Sequence, residues 1–143
     1  MKLSTRTRYG MRAIIELAQY EGTRPLQLKT IAERQDISVK YLEQLMGMLR
    51  SAGLVRSIRG SKGGYALGRP QDQMKVSEVF RCLEGSVTTT ECVQDEDACK
   101  RSADCVAREL WMEVEAAINQ VLDSITLADM VKKTKTRRSD YQI

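Results

Sequence analysis

Apolar residues in the first 35 positions recur at the three- and four-residue spacing of amphipathic helices. Ser4 can cap the first of these helices, and its pattern ends near Gly22. The apolar positions of this helix are Ala13, Ile14, Leu17 and Ala18. A shorter pattern follows Pro25, and its apolar positions are Leu28, Ile31 and Ala32. The N-terminal segment therefore predicts one long helix followed by one short helix.

A third helical pattern begins a few residues later. Residues 35–37 read as a brief turn, and Ser38 is a good N-cap for the helix that follows. Its apolar face comprises Val39, Leu42, Leu45, Met46 and Leu49. Gly53 then stops the pattern in the manner of a C-terminal glycine cap. Two short helices joined by a tight turn form a helix-turn-helix.

Strand-like residues and glycines come directly after this motif. Residues 54–59 and 65–67 have strand character, and the glycine-rich stretch 60–64 between them is a flexible connection. The hairpin tip carries Arg59 and Lys62. This order is the outline of a winged helix, which a helix with apolar positions Val76, Val79, Phe80 and Leu83 closes. We place this winged helix-turn-helix domain at residues 1–85 and expect a mainly α fold.

The apolar residues from 106 to 125 keep helical spacing for about five turns. They are Val106, Leu110, Val114, Ala117, Val121 and Ile125. A helix of this length exceeds what one small subunit buries, which favours a subunit interface over packing within the chain. Thr126 and Asp129 read as a capping pair for a short last helix through Val131. The expected order is a cysteine-bearing loop at 86–105, dimerisation and terminal helices at 106–131, and a disordered basic tail at 132–143.

Charge is distributed unevenly along the chain, although the net charge is only +4. Residues 1–75 hold 14 Lys and Arg against 6 Asp and Glu, whereas residues 76–131 hold 4 against 12. The first half therefore favours a polyanionic partner, and the second does not. Residues 132–143 are basic again, with 5 against 1 and few apolar residues, which is typical of a solvated tail.

The polar face of the third predicted helix and the hairpin tip are the candidate DNA-binding elements. In a helix-turn-helix the second helix enters the major groove by its N-terminal residues. The candidate residues are Ser38, Lys40, Tyr41, Glu43, Gln44, Arg59 and Lys62. Gln44 can pair with adenine and Glu43 can accept from cytosine, the other helix residues can hold phosphates, and the hairpin cations suit the minor groove. Taken alone, Tyr41 could equally be ordinary packing and Lys40 a solvated charge.

Three of the four cysteines, Cys92, Cys99 and Cys105, lie within fourteen residues. Their spacing is too wide for the C-x-x-C pairs of a zinc ribbon, and the chain contains no histidine, so zinc is disfavoured. Three thiolates on an irregular segment can close around an iron–sulfur cluster. The alternative is three scattered cysteines without a metal. Cys82 differs, because it shares a helix face with Val79 and reads as a small buried hydrophobe.

Several classes of function lack support in the sequence. The N-terminus has no long apolar run, and no stretch of about eighteen apolar residues occurs, so neither a signal peptide nor a membrane span is expected. We expect a cytoplasmic protein, where clustered cysteines more often bind metal or sense redox state than form a permanent bridge. An enzyme is not expected, since no histidine base, phosphate loop or C-x-x-C dithiol motif is present.

Three segments together resemble the winged-helix transcriptional repressor family of IscR, NsrR and CymR, and are nearest to its iron–sulfur cluster regulator IscR branch. They are residues 1–18 (MKLSTRTRYGMRAIIELA), residues 37–70 (ISVKYLEQLMGMLRSAGLVRSIRGSKGGYALGRP) and the cysteine stretch through Trp111, with ITLADMV echoing the family's end. The resemblance covers residues 1 to about 131. It implies a homodimer built on crossed long helices, a near-palindromic double-stranded operator, and a cluster on each subunit beside the dimer interface.

The resemblance also assigns site residues. Cys92, Cys99 and Cys105 match the family's three cluster cysteines, which fits the IscR and NsrR branches better than CymR, which lacks them. The resemblance favours a 2Fe–2S over a 4Fe–4S cluster. The residues that match positions contacting or tuning DNA in the IscR branch are Ser38, Tyr41, Glu43, Gln44 and Arg59.

The fourth cluster ligand departs from the family's pattern. IscR-like proteins have a histidine three residues after the last cysteine, where this chain has Arg108, and NsrR-like proteins use an acidic residue where it has Arg8. A guanidinium stays protonated and is a poor iron ligand. Glu109, one helical turn beyond Cys105, is the preferred candidate, while Asp104, Cys82 and an external small thiol stay open.

The sequence thus predicts a dimeric DNA-binding transcriptional regulator that senses cluster status, redox state or nitric oxide through three cysteines. One alternative is a regulator of the same fold whose cysteines act as a thiol redox or zinc site without iron. A second alternative is a protein-interaction module that keeps the fold but does not bind DNA.

Overall fold

The structure, a computed structural model, describes residues 1–140. Three helices open the fold: α1 (Thr5–Gln19), α2 (Leu28–Gln35) and α3 (Val39–Ser51). Both serine caps predicted from the sequence are present. The Ser4 hydroxyl accepts the Thr7 N–H at 3.2 Å, and the Ser38 hydroxyl accepts the Tyr41 N–H at 3.1 Å. Each hydroxyl satisfies one backbone donor that the first helical turn leaves free.

The turn between α2 and α3 is tight because one residue adopts a left-handed backbone. Asp36 has φ 53°, and the Ile37 N–H donates to the Ala32 carbonyl at 3.1 Å. Aspartate is among the few residues that tolerate this conformation. At the other end of α3, Gly53 has φ 74° and closes the helix, as its sequence position predicted.

The wing consists of strands β1 (Val55–Ile58) and β2 (Gly64–Leu67), which pair antiparallel. Leu26, in the connection between α1 and α2, pairs with Tyr65 through two backbone hydrogen bonds of 2.9 and 2.8 Å. Gly64 is required at this contact, because a Cβ there would lie 2.5 Å from the Leu26 carbonyl oxygen. The base of the hairpin is therefore fixed to the helix-turn-helix.

The remaining elements are α4 (Val76–Leu83), α5 (Glu91–Gln94), α6 (Val106–Ser124) and α7 (Leu127–Asp140), with short 3-10 turns at Gln71–Gln73, Glu96–Ala98 and Ser102–Asp104. The core gathers side chains from α1 to α4, β1 and the start of α7. The irregular structure expected around the cysteines is present as α5 and the two later 3-10 turns. Within residues 1–140, no helix combines the length and apolar character needed to cross a membrane.

The chain returns to the winged-helix core between α6 and α7. The Val76 N–H donates to the Ile125 carbonyl, and the Leu127 N–H donates to the Met74 carbonyl, both at 2.8 Å. Leu127 is fully buried. The predicted Thr126 and Asp129 capping pair is also present, with reciprocal bonds of 2.9 and 3.1 Å. The start of the last helix is thus part of the core.

The disordered tail expected from residue 132 differs from the structure, in which α7 continues to Asp140. Buried Leu127 and Val131 fix the first turns of α7 against the core. Beyond them, the Thr134 and Thr136 hydroxyls donate to carbonyls four residues earlier. The polar composition therefore did not prevent helix formation, because packing of the first turns against the core nucleates the helix and later residues only extend it. Residues 141–143 of the expected tail lie outside the described residues.

Candidate DNA-binding surface and cysteine segment

The candidate reading residues occupy the first two turns of α3. Ser38, the N-cap residue, and Lys40, Glu43 and Gln44 are exposed, whereas the buried residues on the opposite face are Leu42, Leu45, Met46 and Leu49. Val39, which the sequence placed on the apolar face, is 45% exposed. The start of an exposed helix presents free backbone N–H groups and suits contact with phosphate. The structure therefore leaves these side chains accessible to a duplex.

Tyr41 lies half-buried on the same helix and packs on α1. Its ring makes an edge-to-face contact with Tyr9, with 6.2 Å between centroids, and the Arg12 guanidinium lies 5.6 Å from the Tyr9 ring centre. The packing interpretation of Tyr41 thus has a definite partner. Tyr9 and Arg12 were missed from the sequence, where their three-residue spacing on α1 was the only signal. They extend the polar surface of α3 onto α1.

The two wing cations lie at the hairpin tip. Arg59 directly follows β1 and Lys62 precedes β2, and both are exposed. Gly60 has φ 114°, and the Gly63 N–H donates to its carbonyl at 3.0 Å, so the tip is a tight turn. Such a narrow tip with two cations fits a minor groove.

The three cysteines predicted to bind metal are free thiols in three different settings. Cys92 is half-buried in α5, and its sulfur lies 3.1 Å from the Thr90 hydroxyl. Cys99 is exposed, and half-buried Cys105 is the N-cap residue of α6. Within residues 1–140, no three His, Cys, Asp or Glu side chains are close enough together to hold a metal ion. The structure brings the thiols into one segment without assembling them into a ligand set.

The chemistry of these donors fits an iron–sulfur cluster, although their described arrangement is open. Thiolates are the usual protein ligands of such clusters. Residues 94–101, which include Cys99, are exposed and none of them belongs to the core, so a rearrangement of Cys99 would leave the core packing unchanged. Cys92, Cys99 and Cys105 are therefore the residues that would hold a cluster.

The candidate fourth ligands are not gathered around these thiols either. Glu109 is exposed on the first turn of α6. Cys82 packs against the core from α4, its thiol donates to the Met48 carbonyl at 3.4 Å, and burial raises the pKa of that thiol. A raised pKa keeps Cys82 protonated, which agrees with its interpretation as a buried small hydrophobe.

The apolar stripe of α6 is not covered by the chain's own core. Val106, Leu110 and Val121 are exposed by 78%, 50% and 57%. The one residue of α6 that is buried is Glu115. A row of exposed apolar side chains along one helix is typical of a protein–protein contact.

The fold and these surfaces define a class of protein: a winged helix-turn-helix that presents an exposed, polar reading helix and a basic wing. The sequence model of one family, Rrf2, described as "Iron-dependent Transcriptional regulator", matches residues 3–133. The chain belongs to the Rrf2 family of DNA-binding transcriptional regulators, and its relatives are regulators rather than enzymes. This assignment gives no support to a module that does not bind DNA.

Two relatives show how far the likeness extends. The transcriptional regulator CymR of Bacillus subtilis is 43% identical over 141 residues, covering 99% of this chain and 97% of CymR. Its solved structure, titled the global cysteine regulator of B. subtilis, superposes with a TM-score of 0.77 at 44% identity and covers 93% of this chain and 98% of that one. The structure of T. potens IscR gives a TM-score of 0.78 at 43% identity and covers 100% and 92%. The chain is thus similar to both branches over nearly its whole length.

Proposed function

We propose that this chain is a dimeric repressor whose affinity for its operator depends on an iron–sulfur cluster held by Cys92, Cys99 and Cys105. The observation that carries the proposal is the position of the three free thiols. They lie in one segment, which runs directly into α6, the helix with the uncovered apolar stripe. When bound, the cluster would supply a redox-active centre. The likeness to T. potens IscR supports this assignment.

Cluster binding is tested on the whole chain, purified without air and reconstituted with ferrous iron and sulfide. We expect the wild type to show visible absorbance and to contain iron and sulfide. These signals should be lost when Cys92, Cys99 or Cys105 is replaced by alanine. Cys82→Ala is the matched control and should bind as the wild type does. A wild-type chain that stays colourless and free of iron refutes the cluster.

DNA reading by α3 and the wing is tested with an operator selected from a random duplex library. Gln44→Ala should weaken binding about 5- to 150-fold, since one bidentate base contact contributes about 1–3 kcal/mol. Arg59→Ala should weaken binding and reduce its salt dependence. Lys133→Ala removes an exposed cation of α7, outside both reading elements and the cysteine segment, and serves as the control. If both variants bind as the wild type does, α3 and the wing are not the reading elements.

Dimerisation through α6 is supported by the exposed stripe. A second copy is the occupant we propose, because related half-sites one helical turn apart require two reading helices. Val121→Asp should shift the chain to a monomer in sedimentation analysis, since it puts a charge into an apolar contact. Glu113→Gln, an exposed polar exchange on the same helix, should leave the dimer intact.

A second candidate function is a regulator of the same fold whose cysteines respond as thiols, or bind zinc, without iron. Two observations favour it. The described residues contain no assembled ligand set. In addition, this chain matches 97% of the length of CymR, whose solved structure is titled a cysteine regulator. Iron-free protein that binds its operator and releases it on thiol oxidation would establish this function.

A further inference from the structure

Two charged side chains reach from α6 back onto the cysteine segment. Arg108 and Glu115 are seven residues apart, which places them two turns from each other on the same face of the helix. At 100° per residue this face is opposite to Ala117 in the exposed apolar stripe. The segment and the proposed second copy therefore contact opposite faces of α6.

Arg108 holds the main chain at the first cysteine. Its Nε donates to the Cys92 carbonyl at 2.8 Å, and its side chain is only 17% exposed. A hydrogen bond from a charged donor that is largely shielded from water is stronger than a neutral surface bond. This arginine therefore links α6 to the cysteine segment at the position where the family resemblance implied a cluster ligand.

Glu115 holds the same segment on both sides of Cys92. Its carboxylate accepts the Thr89 N–H at 2.5 Å, the Thr89 hydroxyl at 2.9 Å and the Gln94 side-chain amide at 3.0 Å. Glu115 is only 5% exposed. A carboxylate buried to this degree is tolerated because its oxygens are hydrogen-bonded, and its removal would leave these donors unsatisfied.

The second half of the segment is attached differently. Residues 95–101, which include Cys99, are exposed, and their hydrogen bonds stay within the segment. Among the described residues, their link to α6 is the 4.0 Å ion pair of Glu96 with Arg108. Cys105 is fixed as the N-cap residue of α6. The backbone of Cys92 and of Cys105 is thus held on α6, whereas Cys99 lies on the exposed stretch between these two fixed points.

We propose that Arg108 and Glu115 are positioning residues that clamp the Cys92 side of the segment to α6, so that α6 responds to the chemical state of the cysteines. This clamp rests on the proposed function in that it takes the cysteines as the sensing residues. It does not depend on whether the change at the cysteines is cluster ligation or thiol modification.

The first test measures the reactivity of Cys92 in reduced, cluster-free protein by alkylation with iodoacetamide and mass spectrometry. In Arg108→Lys and Glu115→Gln, Cys92 should react about tenfold faster, as expected when the clamp loses about 1.4 kcal/mol. Exposed Cys99 is the internal control, and its rate should not change. Glu113→Gln and Arg101→Lys, both exposed exchanges, should leave both rates unchanged. An unchanged Cys92 rate in both clamp variants overturns the proposal.

The second test measures coupling as the ratio of operator affinities of reconstituted and cluster-free protein. The clamp predicts that this ratio moves towards one in Arg108→Lys and Glu115→Gln, while binding to non-specific DNA is retained. A wild-type ratio in both variants refutes the clamp and leaves the proposed function standing. If the wild type takes up no cluster, the proposed function fails, and the ratio is measured between free and Cys99-alkylated chains, which still decides the clamp.

Discussion

Leu127 is the residue through which the C-terminal helices should be joined to the winged-helix core. It is 0% exposed at the start of α7, and its N–H donates to the Met74 carbonyl at 2.8 Å. If this packing makes one folding unit of the chain, Leu127→Ala must destabilise the whole domain. Leu3→Ala is the matched control, because it removes the same atoms from a leucine that is 38% exposed and lies outside the helices.

The magnitude follows from burial. Leu127→Ala removes three buried carbons, worth roughly 2.4 kcal/mol of transfer free energy, and the cavity left behind raises the loss to about 3–4 kcal/mol. Unfolding entropy is about 2.1 cal/mol/K per residue, so a chain of 143 residues gives about 0.3 kcal/mol/K and a Tm about 10 °C lower. Leu3→Ala should cost about 1 kcal/mol or less.

The assay is urea unfolding of both variants followed by circular dichroism, at two protein concentrations tenfold apart. A shift in a monomer–dimer equilibrium makes the transition depend on protein concentration, whereas a loss of core packing lowers stability at both concentrations. A single transition displaced to lower urea is expected for Leu127→Ala. If it is no less stable than Leu3→Ala, the C-terminal helices are not part of the core folding unit.

Three further predictions concern the helices around the reading surface. Gly47→Ala should stabilise the chain by about 0.5–1 kcal/mol in urea unfolding, because a Cβ there meets nothing within 4 Å; Gly10→Ala should not, because its Cβ would lie 2.5 Å from buried Leu83. Ser38→Ala should cost about 1 kcal/mol through the lost cap of α3, and an unchanged Tm would contradict that cap. Hydrogen bonds from Ser4 and Thr7 lower the pKa of Glu84 below its ordinary 4.5. The contribution of Glu84 to the stability of the folded chain is therefore fully present above pH 4.5 and is lost as pH falls through the lowered pKa. The Tm deficit of Glu84→Gln should therefore be largest near neutral pH and shrink in acid; a constant deficit would contradict this linkage.

The sequence predicted those parts of the fold that depend on neighbours in the chain. Ser38 as a cap, Gly53 as a helix end, and the reciprocal Thr126 and Asp129 pair all involve residues within a few positions of one another. Their side-chain chemistry and spacing are sufficient to specify them. The order of helices and wing strands followed from the same local signals.

Contacts between distant residues escaped prediction. Glu115 is one of several acidic residues in the second half of the chain, and nothing in its local pattern marks it as buried. Its burial depends on Thr89 and Gln94, which lie 26 and 21 residues away. The tail was misjudged for the same reason, since its polar composition gave no sign that Leu127 would dock the preceding turn in the core.

Short routes of direct contact join α6 to α3. Residues 125–127 bond directly to Met74 and Val76 at the base of α4, and Arg81 of α4 lies 3.3 Å from Asp123 near the end of α6. The core joins α4 to α1 and α3.

With its 19 residues α6 is about 28 Å long, so a tilt of about 5° displaces its end by about 2.5 Å. Base contacts tolerate only a few tenths of an ångström in distance, and the proposed dimer would read two half-sites at a fixed separation of about 34 Å. A small change at the cysteines therefore suffices to break the contacts of one half-site, provided that α6 moves with the segment that Arg108 and Glu115 hold.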